Sequence, residues 1–541
     1  MKNTIIPALM LYAFSANAQT FNSFDINTSG DSNPDNFVIG NKITFIANNG
    51  TNGREPFVTS TTLFYPAMTL DINNAGNCDC SNMIYMNNAV YMKATDNGTT
   101  GSELYKIDLS TPGNTTTLLQ DINTGALGAN ITYACVSNGK VFFQAEAPSL
   151  LSELWSTDGT NTNNVADLCT PSCSSSPKYM TNFNNKVYFS ARYDASSGTE
   201  LCSSDGSTIS LVKDIKAGVQ SSSPQNFKAL GTSKLFFLVE EGFGLRLAVT
   251  DGTNAGTVLL KDINTANANL GGVENLNGWG ELNGKVYFRA DNGTDGDELW
   301  VSDGTDAGTQ MVKNINPTGS SNPSDFCEFY GKLYFSADNG TNGRELWVTD
   351  GTDAGTTMYK DIHPTGSSNP SLMVQNNNRL YFKAQETDNN YQLFEFQLAP
   401  GSTYVKAITP ANATKTNPLG NTGQLASSNS NKTIYYSANY NSIGQEVWTM
   451  SNPVGVSVTS ISLPVSFSLY PNPNKGTFTL QMDNANFTTA SLMVYDVVGK
   501  LVHQQAITSR TQTIALQQPA GIYMAKLQIG DAVLTRQVVI E

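Results

Sequence analysis

The sequence predicts an all-β protein, on three observations. A K-V-Y-F element recurs nine times, starting at Lys42, Ala89, Lys140, Lys186, Lys234, Lys285, Lys332, Arg379 and Thr433, at spacings of 46 to 54 residues. Asp-Gly and Asn-Gly pairs separate short aromatic and β-branched segments within the units, which is the chemistry of strands and tight hairpins. Residues 464–541 drop this grammar and carry a second set of short alternating segments.

Composition bounds the classes. Charged residues are 14% and aromatic residues 10% of 541, which excludes a disordered chain, where aromatics are few and charge is dense. The length suits about three or four domains, or one large repeat domain with a small one. Thirty-one Lys and Arg against forty-five Asp and Glu leave −14. A phosphate backbone or an anionic lipid surface would repel that charge, so neither nucleic acid nor membrane lipid is an expected partner. Two histidines, His363 and His503, leave little for Ser-His-Asp triads or His-rich metal sites.

Residues 1–18 read as a signal peptide. Lys2 gives the positive start, residues 5–14 the apolar stretch, and Ala16-Asn17-Ala18 the small-residue cleavage site. That stretch is well short of the ~20 residues a spanning helix needs, and no later one approaches it, so no transmembrane helix is expected. Export permits disulfides. Of seven cysteines, at least one stays unpaired within the chain. Cys169 and Cys173 are close enough to close a small loop and are the candidate disulfide. Cys78 and Cys80 share a tight turn, where a bridge is expected to be strained. No CxxC pair supports a zinc ribbon.

Residues 19–450 hold the repeat. An E-L-W element follows each K-V-Y-F, and a D-I-N element follows that, nine times each. In unit six, strand b is expected at 285–290, strand c at 298–302 and strand d at 310–315, with strand a of the next unit at 325–330. Val286, Tyr287 and Phe288 are successive apolar residues, as are Leu299, Trp300 and Val301, so these strands are covered on both faces. Four-stranded sheets covered on both faces are the blades of a β-propeller. The chain opens with a lone strand d at Phe24-Asp25-Ile26-Asn27, and the last unit has b and c without d. The first strand is therefore expected to complete the last blade and hide the sheet edges. Nine blades are expected, with an eight-bladed ring and one irregular unit as the alternative. The phrase ELWVTDGTDAGT (345–356) and its copies resemble the ELWxxDGT repeat family of exported bacterial proteins. That resemblance implies an extracellular propeller-like surface and transfers no catalytic residue.

Residues 451–463 read as a linker, and 464–541 as a small antiparallel β-sandwich, with hairpins turning at Val498-Gly499-Lys500 and Gly530-Asp531. Tyr470-Pro471-Asn472-Pro473 with Gly476, Val494-Tyr495-Asp496 with Gly499, and Gly521-Ile522-Tyr523 resemble the type A C-terminal sorting domain of the type IX secretion system of Bacteroidota. The acidic end, VVIE, departs from the basic residue common there. The resemblance implies passage through the outer membrane by the type IX secretion machinery. Removal of this domain and either attachment to the cell surface or release then follow. The alternative is an accessory module of carbohydrate-binding or fibronectin-like type.

Candidate chemistry is sparse. Glu298, Glu345 and their equivalents recur in seven units, which suits hydrogen bonding to turn amides better than a single catalytic pair. The segment DNGTDGDE (291–298) is a candidate calcium site, although it lacks the EF-hand order and its copy DNGTNGRE loses an acid. Glu146, Glu240, Glu241 and Glu274 stand off the repeat pattern; a glycosidase would need two such acids about 5–10 Å apart, and the alternative is solvated loops. Cys202 replaces the Trp of one E-L-W and reads as a core filler, and Cys135 and Cys327 read as matching buried strand positions. Trp279, between glycines, is a candidate for stacking on a sugar or a partner side chain, against a packing role. The expected function is surface binding or adhesion toward a glycan or protein ligand. The alternatives are an extracellular polysaccharide hydrolase or lyase with carboxylates near the channel, and a structural surface component. A lone acidic pair in the channel would favour catalysis, and uniform repeat residues would favour binding.

Overall fold

The segment Lys285–Asp291 forms a strand because its bulky side chains are buried on both faces. With Gly280–Leu282, Asp297–Ser302 and Gln310–Lys313 it makes one antiparallel meander. The computed structural model describes residues 20–541 except 60–65, 112, 169–172, 243, 267–271, 274–277, 399–403, 411–416, 421–423, 429–432, 441–443, 452–465, 484–489, 497–500 and 530–531. The predicted signal peptide, Cys169, Glu274 and Gly499 lie outside the described residues. Two compact units divide at Pro453 and Val454.

Among its described residues the first unit contains nine four-stranded sheets of order a-b-c-d, which gives nine blades and not eight. Strands b and c fall where the repeats place them. Strand d is shorter than expected: in blade six it stops at Lys313, and the D-I-N segment turns its amides away from the sheet. The first strands of neighbouring blades touch one another from blade one to blade five and from blade six to blade nine, and blade nine touches blade one, so these strands form the innermost layer.

Closure is by strand exchange across the chain. Blade nine consists of Leu425–Ser428, Thr433–Ala438, Glu446–Ser451 and, as its fourth strand, Thr20–Phe24. Ser23 lies opposite Trp448, and Phe24 opposite Val447. The strand begins earlier than Phe24-Asp25-Ile26-Asn27, because there too D-I-N is a junction and not a strand. An apolar cluster spans the seam, with Phe24, Tyr435 and Val447 packed on Ile43, Phe45 and Phe57 of blade one. Elsewhere the same job falls to sets such as Tyr287, Leu299 and Val301 of blade six on Leu333, Phe335 and Trp347 of blade seven. Each such side chain contributes roughly 1.5–3 kcal/mol by leaving water.

Asp-Gly turns between strands c and d rest on strand b of the preceding blade. A Cβ at Gly351 would stand 2.5 Å from the Tyr287 hydroxyl, and Gly351 has φ +96°. Glycine is required there twice over, for the left-handed backbone and for the close approach.

The second unit has two sheets. Ser466–Tyr470, Thr477–Asp483 and Thr511–Ala515 form one; Leu501–Ile507, Ala490–Tyr495, Gly521–Ile529 and Ala532–Ile540 form the other. Phe478, Leu480, Leu492, Val494, Leu527 and Val538 fill the space between them.

The cysteines need two corrections. Cys78 and Cys80 are bonded to each other. Asp79 adopts φ +46° and brings their Cα atoms to 5.1 Å, inside the range disulfides use. Cys135 and Cys327 do occupy matching strand positions but are half-buried; burial holds both thiols up at about 11. Cys202 is fully buried as a small core residue. Cys173 is disulfide-bonded.

Candidate functional site

The recurring Glu of strand c is a junction residue. Glu55, Glu103, Glu153, Glu200, Glu298, Glu345 and Glu446 are all fully buried. In blade seven, Glu345 accepts Ile362 N–H at 2.7 Å, Ser368 N–H at 2.8 Å and the Ser368 hydroxyl at 2.6 Å. Ser368 then passes its own carbonyl to Gln385 N–H at the b–c corner of blade eight, 2.9 Å away. One carboxylate thus ties the exit of strand d to the linker, and the linker to the next blade. Across the seam Glu446 does the same, accepting Ile26 N–H at 2.9 Å and Ser32 N–H at 3.0 Å, with Ser32 carbonyl to Asn48 N–H at 2.8 Å.

Burial pushes all seven carboxyls above the ordinary glutamate value. Five of them are held back by a serine hydroxyl, from Ser32, Ser175, Ser222, Ser321 or Ser368. Cys78 and Ala129 replace that serine beside Glu55 and Glu103, and these two rise to about 7. Between 4.5 and 7 the folded ring holds protons that the unfolded chain releases. Its stability is therefore full below about 4.5 and falls as pH rises through 7. Exposed turn acids such as Asp158, held down at about 2 by the Asn161 and Thr160 amides, titrate below this window. We expect the Tm of the full chain to drop by roughly 5 °C or more from pH 4.5 to above 7. Ala129→Ser should flatten that drop by giving Glu103 its missing hydroxyl. Calorimetry across this range checks both, and a Tm that rises with pH would contradict the assignment.

Of the acids set apart in the sequence, Glu146 and Glu240 lie in different blades. Both are on the repeat pattern after all, at the b–c corner of blades three and five, where a main-chain amide ties the corner to the linker: Glu146 N–H donates to Ala129 and Glu240 N–H to Ser222. The Glu146 carboxylate accepts from Ser152 and Asn130, and Glu240 is exposed. Glu241 follows in the same strand, opposite Gly244. Trp279 is half-buried, donates its indole N–H to the Asn226 carbonyl at 3.0 Å and packs 5.9 Å from the Phe288 ring. Its contacts join blades five and six.

The 291–298 corner closes on itself. Asp291 accepts Gly293 N–H, Asn292 accepts Thr294 and Asp295 N–H, and Asp295 takes the Asn292 and Asn314 amides. Among the described residues, no three His, Cys, Asp or Glu side chains gather as a metal site. The described acids of the innermost strands have separate partners: Asp35 pairs with Arg54 at 2.6 Å, Glu281 with Lys228 at 3.0 Å, Asp325 accepts Leu372 N–H, and Glu328 accepts Gly331 N–H.

Two features escaped the sequence reading. In seven blades the second residue of strand a is left-handed and bulges the strand: Asn36, Asn82, Tyr133, Tyr179, Asn226, Asp325 and Leu372 have φ from 53° to 57°. Asn and Asp tolerate this conformation, but Tyr and Leu resist it. These bulges reach sideways around the ring, as when Tyr133 meets Tyr179 edge-on at 5.5 Å. The second feature is a pocket of about 280 Å³ between blades seven and eight, with Asp325, Ser336, Arg344, Ser371, Lys383 and Tyr391 on its walls. Arg344 is fixed there by the Asn322 carbonyl at 2.8 Å and the Ser336 carbonyl at 3.3 Å. Lys383 is 5% exposed, and its ammonium stands 4.5 Å from the Tyr391 ring centre. Burial lowers the pKa of both cations.

In the second unit, the loop at 470–476 clips the last strand. Asn472 accepts Val539 N–H at 2.8 Å, Asn474 N–H donates to the Val539 carbonyl at 2.9 Å, and Glu541 N–H to the Asn474 carbonyl at 2.9 Å. Pro471 and Pro473 follow cis peptide bonds, and Gly476 takes φ +84°. Tyr470 donates to Gln481 and Tyr523 to the Pro519 carbonyl, while Lys526 lies over the Tyr495 ring. Asp496 follows the strand that ends at Tyr495, and Gly521 opens the strand carrying Tyr523. Residues 468–541 match the secretion system C-terminal sorting domain. This sorting domain indicates export by type IX secretion and a final place at the cell surface or outside the cell. No helix among the described residues is long and apolar enough to cross a membrane.

No curated protein matches the chain. Solved structures that resemble it include a prolyl endopeptidase (12% identity over 75% of this chain, TM-score 0.37) and a puromycin hydrolase mutant in complex with PGG (11% over 77%, TM-score 0.38). A third is a Mycobacterium tuberculosis puromycin-hydrolyzing peptidase (10% over 68%, TM-score 0.35). The chain spans 55%, 59% and 60% of their respective lengths. Likeness at this level says nothing about chemistry in this chain.

Proposed function

We propose that the ring is an extracellular binding or adhesion module for a glycan or protein ligand. On this reading the signal peptide at residues 1–18 starts export in a member of the Bacteroidota, the sorting domain finishes it, and residues 19–450 are the delivered cargo, built of ELWxxDGT-type units. The observation that carries the reading is the fate of the acids. The strand c carboxylates are consumed in blade junctions, and each described acid of the inner layer closes on a partner of its own. A hydrolase or lyase needs two carboxyls facing one bond, whereas Asp35, Glu281, Asp325 and Glu328 each have a partner that is not another carboxyl. Glycan and matrix-protein arrays probed with the full chain test this. Binding above that of an unrelated exported propeller is expected; binding equal to it, or release of new reducing ends from polysaccharide, would overturn it.

A further inference from the structure

Units six and seven are nearly the same sequence, and two of the positions at which they differ lie on strands b and c and exchange charged for uncharged or oppositely charged side chains. The fifth residue of strand b is Leu238, Arg289, Ser336 and Lys383 in four successive blades, and the residue opening strand c is Asp297, Arg344 and Tyr391 in the last three. Their neighbours are held to framework: Phe237, Phe288, Phe335 and Phe382 precede the first position and are all buried. Between blades seven and eight, both variable positions of both blades face one pocket.

We propose that this pocket is the ligand site of the ring and that it holds the carboxylate of one acidic sugar. The proposal rests on the reading of the ring as a binding module. Lys383 and Arg344 supply positive charge away from water, where it attracts an anion far more strongly than at the surface. Asp325 stands on the opposite side of the account. It repels a multiply charged group such as phosphate and accepts from a sugar hydroxyl. Ser336, Ser371 and Asn369 add hydroxyl and amide groups at the walls. The volume lies just under the roughly 300–1,000 Å³ of small-molecule sites, which suits one pyranose ring and not a long chain.

The test is titration calorimetry on the full chain with glucuronate, galacturonate, glucose, a sulfated glucose and inorganic phosphate. Uronates should bind at least tenfold more tightly than glucose, phosphate or the sulfated sugar. Lys383→Met should weaken uronate binding at least tenfold, while Lys93→Met, at the same strand position in blade two, should leave it unchanged. A preference for glucose, phosphate or the sulfated sugar, or equal binding by Lys383→Met, overturns the proposal. Should Lys383→Met fail to fold, the wild-type chain still answers: uronate affinity must fall as pH rises through the lowered lysine pKa, and a flat profile overturns the site. Array ligands retained by Lys383→Met would sink the pocket and spare the binding reading. Uronate held at Lys383 with blank arrays would sink adhesion and spare the pocket.

Discussion

Removal of residues 20–27 is expected to open the ring. Strand Thr20–Phe24 pairs over five residues with Glu446–Ser451 and buries Phe24 at the seam. Phe24 contributes about 2–3 kcal/mol, and each ladder hydrogen bond about 1 kcal/mol. Glu446 also loses the Ile26 amide. The loss is about 5 kcal/mol or more, a large part of the 5–15 kcal/mol that holds a typical domain. The deletion also bares the edge of Glu446–Ser451, which can then pair with another chain. Calorimetry should show a lower and broader transition, and light scattering should show concentration-dependent oligomers. A monomer with unchanged Tm would mean that the first strand does not close the ring.

Glu345→Ala is the second large effect. Three donors, Ile362 N–H, Ser368 N–H and the Ser368 hydroxyl, lose their acceptor in a buried junction. Orphaned buried donors cost about 1–3 kcal/mol each, so the substitution should cost about 3–5 kcal/mol in urea unfolding. Glu345→Gln keeps one acceptor and should cost less. Glu386→Ala, at an exposed corner, is the control. Equal cost at positions 345 and 386 would show that the junction carries no weight.

Closure was legible because the first and last units are each incomplete in complementary ways. The role of the strand c glutamates was legible because they recur: a residue present in most blades serves the frame. Glu146 and Glu240 misled because the link from the b–c corner to the linker needs only the amide of its first residue, so Asn48, Thr95, Glu146 and Arg192 all make it. The end of strand d misled because the apolar Ile of D-I-N reads as strand, whereas its amide belongs to a buried carboxylate. The bulged inner strands carry Tyr and Leu at left-handed positions, where sequence offers no turn signature. The pocket was invisible because its walls come from two blades, and packing alone sets Lys383 beside Arg344 and Tyr391. Cys78 and Cys80 meet through the backbone of Asp79, which no spacing rule reports.

Ser451 ends the last strand of the ring before the chain runs on toward the sorting domain. That strand is an interior one, flanked by Thr433–Ala438 on one side and Thr20–Phe24 on the other. Tension entering at this point must strip two ladders together; it cannot unzip a single border. A load entering the ring through this end of the chain would thus meet a strand held on both edges.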